Sequence, residues 1–183
     1  SPDGTADLAE EFNKKYKNIK VIRKNKKEGI GAALVVGYNQ ANKDIILSMD
    51  TDLSFNYKDI KRFVEKVNEG YDLVLGSRHN DSKHYNVNYA TTYLKKLISV
   101  FGNKIVRLAS GINVKDFSAN FRAIKKEVWK KIHTKEKTNS FLVETIFATK
   151  SKGYKVTEIP VIFKERRYGK SKAIGIWPDM IYI

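Results

Sequence analysis

The sequence contains no cysteine, so disulfide bonds, catalysis by a thiolate and zinc sites built on cysteine are excluded. It also lacks any apolar run near the roughly 18 residues that a membrane-spanning helix requires. No internal repeat or low-complexity linker interrupts the chain, and its histidines, His79, His84 and His133, lack the spacing of metal ligands. These absences direct attention to carboxylates and cations as the groups that carry chemistry.

The composition is that of a globular protein with a large excess of positive charge. Hydrophobic residues make up 42% of the 183 residues and charged residues 30%, which suits one domain with a substantial core. The formal net charge of +15 indicates affinity for anions, whether nucleic acid, acidic lipid headgroups or phosphorylated substrates. Because the lysines are spread along the whole chain, the charge does not choose among these partners.

The spacing of apolar residues predicts helices and short strands in alternation. Leu8, Phe12 and Tyr16 repeat at helical spacing, and the run 45–49 is typical of a buried strand. Such an alternation indicates an α/β fold in which a parallel sheet is covered by helices on both faces. The predicted helices are 5–16, 29–41, 60–70, about 90–109, 126–132 and 142–152. The predicted strands are 19–23, 44–49 (expected at the centre of the sheet), 73–75, about 121–124 and 156–161.

Two carboxylates follow the strand 44–49, in the sequence Asp50-Thr51-Asp52. Ligands of open α/β sheets bind beyond the carboxyl ends of the strands, so Asp50 and Asp52 are expected where a phosphorylated substrate would be held. Magnesium takes one or two protein carboxylates together with substrate phosphates and waters. Aspartate is also common at helix caps and turns, so a purely structural role for the pair stays open at this point.

Gly29 and Gly31 are a weaker candidate for anion binding. They stand beside lysines at the expected amino terminus of a helix, where backbone N–H groups and the helix dipole favour an anion. Glycine is also the usual residue of tight turns. The pattern therefore leaves both interpretations open.

Basic residues supply the other candidates. Arg78 directly follows a strand, and a guanidinium there can clamp a phosphate with two hydrogen bonds. Lys95 and Ser99 lie four residues apart and hence on one face of the long helix. They either form a phosphate site or are two ordinary surface residues. The basic segment 163–172 is either a phosphate-binding loop or a solvated turn.

Together these segments resemble the family 2 glycosyltransferases, and within them the polyprenyl-phosphate sugar synthases typified by dolichol-phosphate mannose synthase. The resemblance covers nearly the whole chain. The matching segments are 1–5 to the second half of D-D-x-S-x-D-G-T, 27–33 to K-x-G-L-G-x-A, 49–54 to D-A-D-L-S, 76–78 to G-S-R, 116–122 to D-x-x-S-G-F-R, and 160–172 to P-x-x-F…R-x-x-G-x-S-K. Because the first segment is only half matched and residues 176–183 stop in mid-pattern, we expect residues 1–183 to be a single catalytic domain without its first strand and its carboxyl-terminal continuation.

The resemblance implies the GT-A fold, which is a Rossmann-like, mostly parallel sheet with helices on both faces. It implies transfer of a hexose, with mannose favoured, from a nucleotide-sugar to a polyprenyl phosphate such as dolichyl phosphate. Inversion at the anomeric carbon and dependence on Mg²⁺ or Mn²⁺ are implied as well. The implied donor is GDP-mannose, with UDP-glucose as the alternative. The implied location is the cytoplasmic face of a membrane, with no nucleic acid partner.

The resemblance also implies roles for individual residues. The metal would be bound by Asp50 and Asp52, and the catalytic residues would be Asp52, Arg78 and Arg166. The residues implied to bind the donor are Asp3, Lys27, Gly29, Gly31, Asp50 and Asp52. The residues implied to bind the phosphate of the acceptor are Arg78, Lys95, Ser99, Arg166 and Lys172.

Three other functions compete with this one. A processive polysaccharide synthase of the same superfamily is expected to carry Q-x-x-R-W, but the only glutamine is Gln40, and neither Trp129 nor Trp177 follows an arginine. A family member with another acceptor, such as a capsule or lipopolysaccharide precursor, stays open. A basic nucleic-acid-binding module would account for the charge of +15, but it leaves the aspartates at the strand end unexplained.

Overall fold

The computed structural model of the protein describes residues 4–24, 26, 28–78 and 90–164, with side chains at all of these except 90–96, 98 and 99. The helices are α1 (Thr5–Tyr16), α2 (Ile30–Gln40), α3 (Ile60–Asn68), α4 (Ala90–Ser110), α5 (Lys126–Trp129) and α6 (Ser140–Ser151). The strands are β1 (Ile45–Ser48), β2 (Leu73–Ser77), β3 (Arg122–Lys125) and β4 (Val156–Pro160). A short 3-10 helix, Tyr57–Asp59, leads into α3.

The described strands form one sheet in the order β1-β3-β2-β4. β3 pairs antiparallel with both of its neighbours, whereas β2 and β4 pair in parallel. β1, β2 and β4 therefore run in one direction, and β3 runs against them. This mixed α/β sheet confirms the predicted fold class.

Helices cover both faces of the sheet because successive side chains of a strand point to opposite sides. Leu73 and Leu75 of β2 pack with residues of α2, α5 and α6, whereas Val74 packs on the other side with Phe63 and Val67 of α3. All five side chains are buried. Because β2 is covered on both faces, its sequence is a continuous apolar run and does not alternate with polar residues.

Gly76 of β2 allows α3 to approach the sheet closely. A Cβ atom at this position would lie 3.1 Å from the Phe63 ring and 3.1 Å from the carbonyl oxygen of Phe121. The rings of Phe63 and Phe121 are fully buried and pack with their centres 4.2 Å apart. A side chain at position 76 would therefore force this aromatic pair to move.

Most predicted elements are confirmed, but the strand predicted at 19–23 is wrong. α1 has the predicted bounds, and Gly70, with a φ of 98°, follows α3 in the left-handed conformation expected of a glycine after a helix. The segment 19–23 is irregular, and Ile19 and Ile22 are exposed. No described strand pairs with it, and the N–H of Ile19 donates instead to Asn13 Oδ1 at 3.2 Å, so the segment does not form a strand.

The position of β1 is the second correction. Alternating helices and strands predict that successive strands are neighbours, which would place β1 inside the sheet. In the structure β3 inserts between β1 and β2, and β1 is an edge strand of the described sheet. The local pattern gave no sign of this insertion because it depends on pairing between distant parts of the chain.

Asp72 ties three strands together at the end of the sheet where β2 and β4 begin. Its Oδ1 lies 2.9 Å from the Lys125 ammonium, its Oδ2 accepts a hydrogen bond of 2.8 Å from the N–H of Lys155, and its carbonyl accepts one of 3.0 Å from the N–H of Lys125. Burial alone would raise the pKa of this carboxyl. The Lys155 N–H and the Lys125 ammonium outweigh burial, so the pKa lies below the ordinary value of 3.8.

We expect Asp72→Asn to lower the free energy of unfolding by about 1–2 kcal/mol at neutral pH, because it removes a hydrogen-bonded charge. Since the folded-state pKa lies below the unfolded value of 3.8, the stabilisation is present above that pH and is lost as the pH falls through the folded-state pKa. Urea unfolding should therefore show a difference at neutral pH that closes on acidification. The matched change Glu69→Gln, in an exposed ion pair with Lys66, should have little effect at any pH. A difference for Asp72→Asn that does not depend on pH would contradict this assignment.

Candidate active site

Segments from all four described strands meet at one edge of the sheet. β1, β2 and β4 end at this edge because they share a direction, and β3 begins there because it runs against them. The segments at the edge are 49–55 after β1, Arg78 after β2, 116–121 before β3 and 161–164 after β4. Ligands of open α/β sheets bind at such an edge.

Asp50 and Asp52 both lie at this edge and are part-buried. Asp50 Oδ1 accepts a hydrogen bond of 3.0 Å from Asn120 Nδ2. Asp52 Oδ1 accepts one of 3.0 Å from the N–H of Ser54, which is a side-chain turn that stabilises the reversal of the chain. Leu53, inside this turn, has a φ of 61°, a left-handed conformation that is uncommon for a residue with a side chain. The contacts on either side therefore hold the loop in a strained shape.

The pairing of β1 with β3 explains why Asn120 faces Asp50. Ser48 pairs with Arg122 in the antiparallel register, so two residues further along, Asp50 and Asn120 occupy opposing positions on the same face. The Ser48 hydroxyl donates to the carbonyl oxygen of Asn120 at 2.9 Å and lies 2.8 Å from the hydroxyl of Tyr38. Burial raises the pKa of Tyr38. A buried polar chain thus links α2 to the loop that contacts Asp50.

Arg122 holds the segment 116–121 from within the core. Its side chain is fully buried, and its guanidinium donates to the carbonyl oxygens of Ala119 at 2.6 Å and of Leu142 at 2.8 Å. Burial lowers the pKa of Arg122 from its ordinary value, but a guanidinium remains protonated in proteins. Because the charge is bonded to carbonyls of both this segment and α6, it fixes the segment against the helix.

Arg78 reaches the same edge from the end of β2, where a fully buried carboxylate holds it. Its Nε lies 2.7 Å from Asp116 Oδ2 and its Nη2 lies 3.0 Å from Asp116 Oδ1, which is a bidentate ion pair. Nη2 also donates to the Ser118 hydroxyl at 2.7 Å, and the guanidinium carbon lies 5.4 Å from the centre of the Phe163 ring. Arg78 is therefore fixed in one orientation, and Asp116 offsets part of its charge.

Glu158 of β4 holds the backbone next to the ion pair of Arg78 and Asp116. It accepts hydrogen bonds of 2.8 Å and 2.9 Å from the N–H groups of Lys115 and Asp116. Burial raises the pKa of Glu158 above its ordinary value, although these two N–H groups oppose the shift. The predicted phosphate clamp, Arg78, therefore has a carboxylate partner and a second acid nearby.

The segment 116–120 brings the aspartate pair and Arg78 together. Ser118 bonds to Arg78, and Asn120 bonds to Asp50. Residues two apart in sequence are separated by at most about 7 Å between their Cα atoms. The acids and the predicted acceptor-binding arginine thus share one small region of the surface.

The segment after β4 forms a second link across this region. The N–H of Lys164 donates to the carbonyl oxygen of Ser54 at 2.9 Å, and Phe163 forms an isolated antiparallel bridge with Phe55. The rings of Phe55 and Phe163 have centres 5.2 Å apart. The first two residues of the predicted basic segment 163–172 therefore lie beside the loop that carries Asp52.

Gly29 and Gly31, predicted to bind the donor, pack against the protein itself. A Cβ atom on Gly31 would lie 2.6 Å from the Cβ of Phe141, and one on Gly29 would collide with the carbonyl of Lys137. The N–H of Ala32, in the first turn of α2, donates to the same carbonyl at 3.1 Å. Close packing of α2 therefore requires both glycines, and their contact with the donor stays a prediction.

Six further predicted site residues have side chains outside the described part of the chain. Asp3, Lys27, Arg166 and Lys172 lie outside the described residues. Lys95 and Ser99 lie in α4, but their side chains are outside the described part of the chain. Their roles stay predictions.

The donor atoms at Asp50 and Asp52 suit a hard divalent cation, because Mg²⁺ prefers carboxylate oxygens. Ser54 Oγ and Asn120 Oδ1, on the two residues that hydrogen-bond these carboxylates, are buried and have no hydrogen-bond partner within the described part of the chain. No group of three or more acidic or histidine side chains among the described residues could enclose a metal. A cation at this edge would therefore take its remaining ligands from substrate phosphates and water.

Four residues with hydrogen bonds at this edge were given no site role by the sequence: Asp116, Ser118, Asn120 and Glu158. The resemblance did mark the segment 116–122, which contains three of them. Their partners could not be predicted, however, because these depend on β3 running against its neighbours. Glu158 carries no local signal, since its role comes from backbone N–H groups on a distant loop.

A comparison with known families identifies the class of this protein. Residues 1–133 match the family described as Glycosyl transferase family 2, and this is more than half of the 183 residues. The chain belongs to this family of enzymes. The resemblance drawn from its motifs is therefore confirmed.

Curated relatives match over 96% of the chain. An undecaprenyl-phosphate mannosyltransferase of Micrococcus luteus is 32% identical, and the match covers 73% of that protein. A dolichol-phosphate mannosyltransferase of Pyrococcus furiosus is 33% identical, with 49% of that protein covered. A polyprenol monophosphomannose synthase of Mycolicibacterium smegmatis is 29% identical, with 68% covered. The chain thus spans between about half and three quarters of the length of these relatives.

Solved structures support the GT-A fold. Glucosyl-3-phosphoglycerate synthase from Mycobacterium tuberculosis, in complex with Mn²⁺, UDP-glucose and phosphoglyceric acid, has a TM-score of 0.58 at 13% identity, covering 86% of this chain and 52% of that one. The same enzyme with Mg²⁺ and UDP has a TM-score of 0.57 at 13% identity, with the same coverage. At this identity the likeness establishes the fold alone.

We expect Asp116→Asn to lower the free energy of unfolding by about 3 kcal/mol, because it leaves Arg78 without its buried ionic partner. The matched change is Asp7→Asn, which removes the carboxylate of an exposed pair with Arg23 and should leave stability nearly unchanged. Urea unfolding of the two variants beside the wild type measures the difference. Equal losses in the two variants would show that the Arg78 pair does not stabilise the edge of the sheet.

Proposed function

We propose that the protein transfers a sugar from a nucleotide-sugar to the phosphate of a polyprenyl lipid. The observation that carries this proposal is the position of Asp50 and Arg78 at one sheet edge, linked by the segment 116–120. Acidic groups that can hold a cation with a diphosphate thus lie beside a guanidinium suited to a second phosphate. Three relatives named as mannosyl transferases or synthases for polyprenyl phosphates support the lipid acceptor and favour mannose.

On the donor side, Asp50 and Asp52 would hold Mg²⁺ or Mn²⁺ together with the diphosphate. When bound, the metal supplies positive charge that stabilises the departing diphosphate. The chain fixes the two carboxylates through the N–H of Ser54 and the amide of Asn120. Structural neighbours crystallised with Mn²⁺ or Mg²⁺ support the use of a divalent cation. GDP-mannose is the favoured donor and UDP-glucose the alternative. The further donor-binding residues of this proposal are Asp3, Lys27, Gly29 and Gly31.

On the acceptor side, a phosphate group is already anionic near pH 7, so the nucleophile needs positioning and charge compensation more than a strong base. Asp116 and Ser118 hold Arg78 in a fixed orientation, so its positive charge is already in position when a phosphate arrives. The phosphate oxygen would attack the anomeric carbon with inversion, while the bond between that carbon and the diphosphate oxygen breaks. The further acceptor-binding residues of this proposal are Lys95, Ser99, Arg166 and Lys172.

The surface of α4 supports work at a membrane. Leu97, Phe101, Ile105 and Leu108 lie along one face of this helix and are between 47% and 74% exposed. An exposed apolar face suits a lipid surface, and the net charge of +15 favours an anionic one. Within the described residues, no helix combines the length and apolar character needed to span a bilayer. The proposed location is the cytoplasmic face of a membrane.

The donor half of the proposal is tested with Asp52→Asn in the complete protein. We expect this change to abolish Mg²⁺- or Mn²⁺-dependent binding of the nucleotide-sugar, because it removes a charged metal ligand. The matched variant Asp44→Asn changes an exposed aspartate at the other end of β1 and should bind as the wild type does. Isothermal titration with GDP-mannose and UDP-glucose, with and without EDTA, measures the binding. Unchanged metal-dependent binding by Asp52→Asn would refute the assignment.

The acceptor half is tested by supplying GDP- and UDP-sugars with dolichyl phosphate, undecaprenyl phosphate or water-soluble acceptors. We expect a glycolipid to form with a polyprenyl phosphate, and transfer confined to soluble acceptors would contradict the proposal.

The role of the basic residues is tested separately. Arg166→Ala should raise the KM for the lipid phosphate about tenfold without weakening donor binding. Arg167 stands at an x position of R-x-x-G-x-S-K, so Arg167→Ala should leave both substrates unaffected. Equal losses for both substrates would contradict this division of roles.

A further inference from the structure

Asn120 contacts Asp50 of the aspartate pair, although the sequence motifs assign it no role. Its side chain is 7% exposed, and its Nδ2 donates to Asp50 Oδ1 at 3.0 Å. Its carbonyl oxygen accepts a hydrogen bond of 2.9 Å from the Ser48 hydroxyl. Both the side chain and the backbone of Asn120 are thus bonded to the end of β1.

The position of this amide is fixed from several sides. The register of β1 with β3 places Asn120 opposite Asp50. The preceding residue, Ala119, is held through its carbonyl oxygen by the buried guanidinium of Arg122 at 2.6 Å. Because the amide cannot swing away, the carboxylate oxygen that accepts from it is fixed as well.

Asp50 and Asp116 differ in the kind of hydrogen-bond donor that their carboxylates receive. Asp116 is paired with a guanidinium, which offsets its charge. Asp50 receives an amide N–H, which orients a carboxylate but carries no net charge and does not ionise. An amide donor therefore suits a carboxylate that binds a metal cation, because a guanidinium in its place would offset the negative charge and repel the cation.

The carbonyl oxygen of the Asn120 side chain is evidence against a role in packing alone. Asn120 Oδ1 is buried and has no hydrogen-bond partner among the residues described. A buried acceptor without a partner destabilises a fold. Leucine has the same number of side-chain heavy atoms and the same branching at Cγ but no polar atom to leave unpaired, so a role in packing alone does not explain the amide at position 120, whereas its hydrogen bond to Asp50 does.

We propose that Asn120 is a positioning residue that holds the Asp50 carboxylate in the orientation needed to bind a divalent cation and leaves its charge intact. The proposal rests on the proposed function only in that Asp50 binds the cation. It is independent of the sugar, the nucleotide base and the acceptor. In other proteins, substitution of residues that hydrogen-bond to metal ligands typically lowers metal affinity or activity by about 10–100-fold.

The experiment measures Mn²⁺ affinity in the complete protein, with GDP or UDP present, from the electron paramagnetic resonance signal of free Mn²⁺. We expect Asn120→Ala and Asn120→Leu to bind Mn²⁺ at least about tenfold more weakly than the wild type. Asn120→Leu keeps the number of side-chain heavy atoms and the branching at Cγ and removes both amide ends, so this variant should bind Mn²⁺ as the wild type does if Asn120 only fills space. Urea unfolding of each variant shows that the comparison is made between folded proteins.

The matched control is Asn39→Ala in α2. Asn39 Oδ1 accepts a hydrogen bond of 2.8 Å from Trp129 Nε1, outside the segment 116–120, so this variant should lose stability without losing Mn²⁺ affinity. Wild-type affinity in both Asn120 variants would overturn the proposal and leave the proposed function standing, as would equal losses of Mn²⁺ affinity in the Asn120 and Asn39 variants. Failure of the wild type to bind Mn²⁺ with either nucleotide would overturn both proposals. The expected pattern in a protein that makes no glycolipid would support the role of Asn120 and refute only the proposed acceptor.

Discussion

The antiparallel pairing of β3 with β1 is the constraint on which the rest of the candidate active site depends. Because β3 begins where β1 ends, the segment that precedes β3 is delivered next to Asp50. A parallel β3 would have placed that segment at the opposite end of the sheet. Arg122, which starts β3, bonds to carbonyls of this segment and of α6 and so fixes the segment where the pairing has delivered it.

One short segment thereby sets the relation between the two halves of the site. Its Asp116 and Ser118 hold Arg78, and its Asn120 holds Asp50. The two halves differ in charge, since an ion pair forms at Arg78 and an amide leaves the charge of Asp50 intact. In the proposed reaction between two phosphate-bearing substrates, this arrangement would keep the proposed cation-binding group, Asp50, and the proposed phosphate-binding group, Arg78, at a distance fixed by the backbone.

The sequence predicted what depends on local pattern and missed what depends on distant pairing. The bounds of α1, the turn at Gly70 and the arrival of Asp50 and Asp52 at a strand end follow from the spacing of neighbouring residues. The partners of Arg78 and Asp50 lie 38 and 70 positions away, and no local pattern contains that information. The segment 19–23 shows the reverse case, because its alternation is real but no described strand pairs with it.

Anomalous diffraction from crystals of the complete protein grown with Mn²⁺ and a nucleoside diphosphate tests the central claim most directly. The claim is that the carboxylates after β1 bind a divalent cation together with a diphosphate. It predicts one manganese peak coordinated by Asp50 or Asp52 and by oxygens of the diphosphate. A nucleotide bound at this edge without manganese, or manganese bound only elsewhere on the protein, would contradict it.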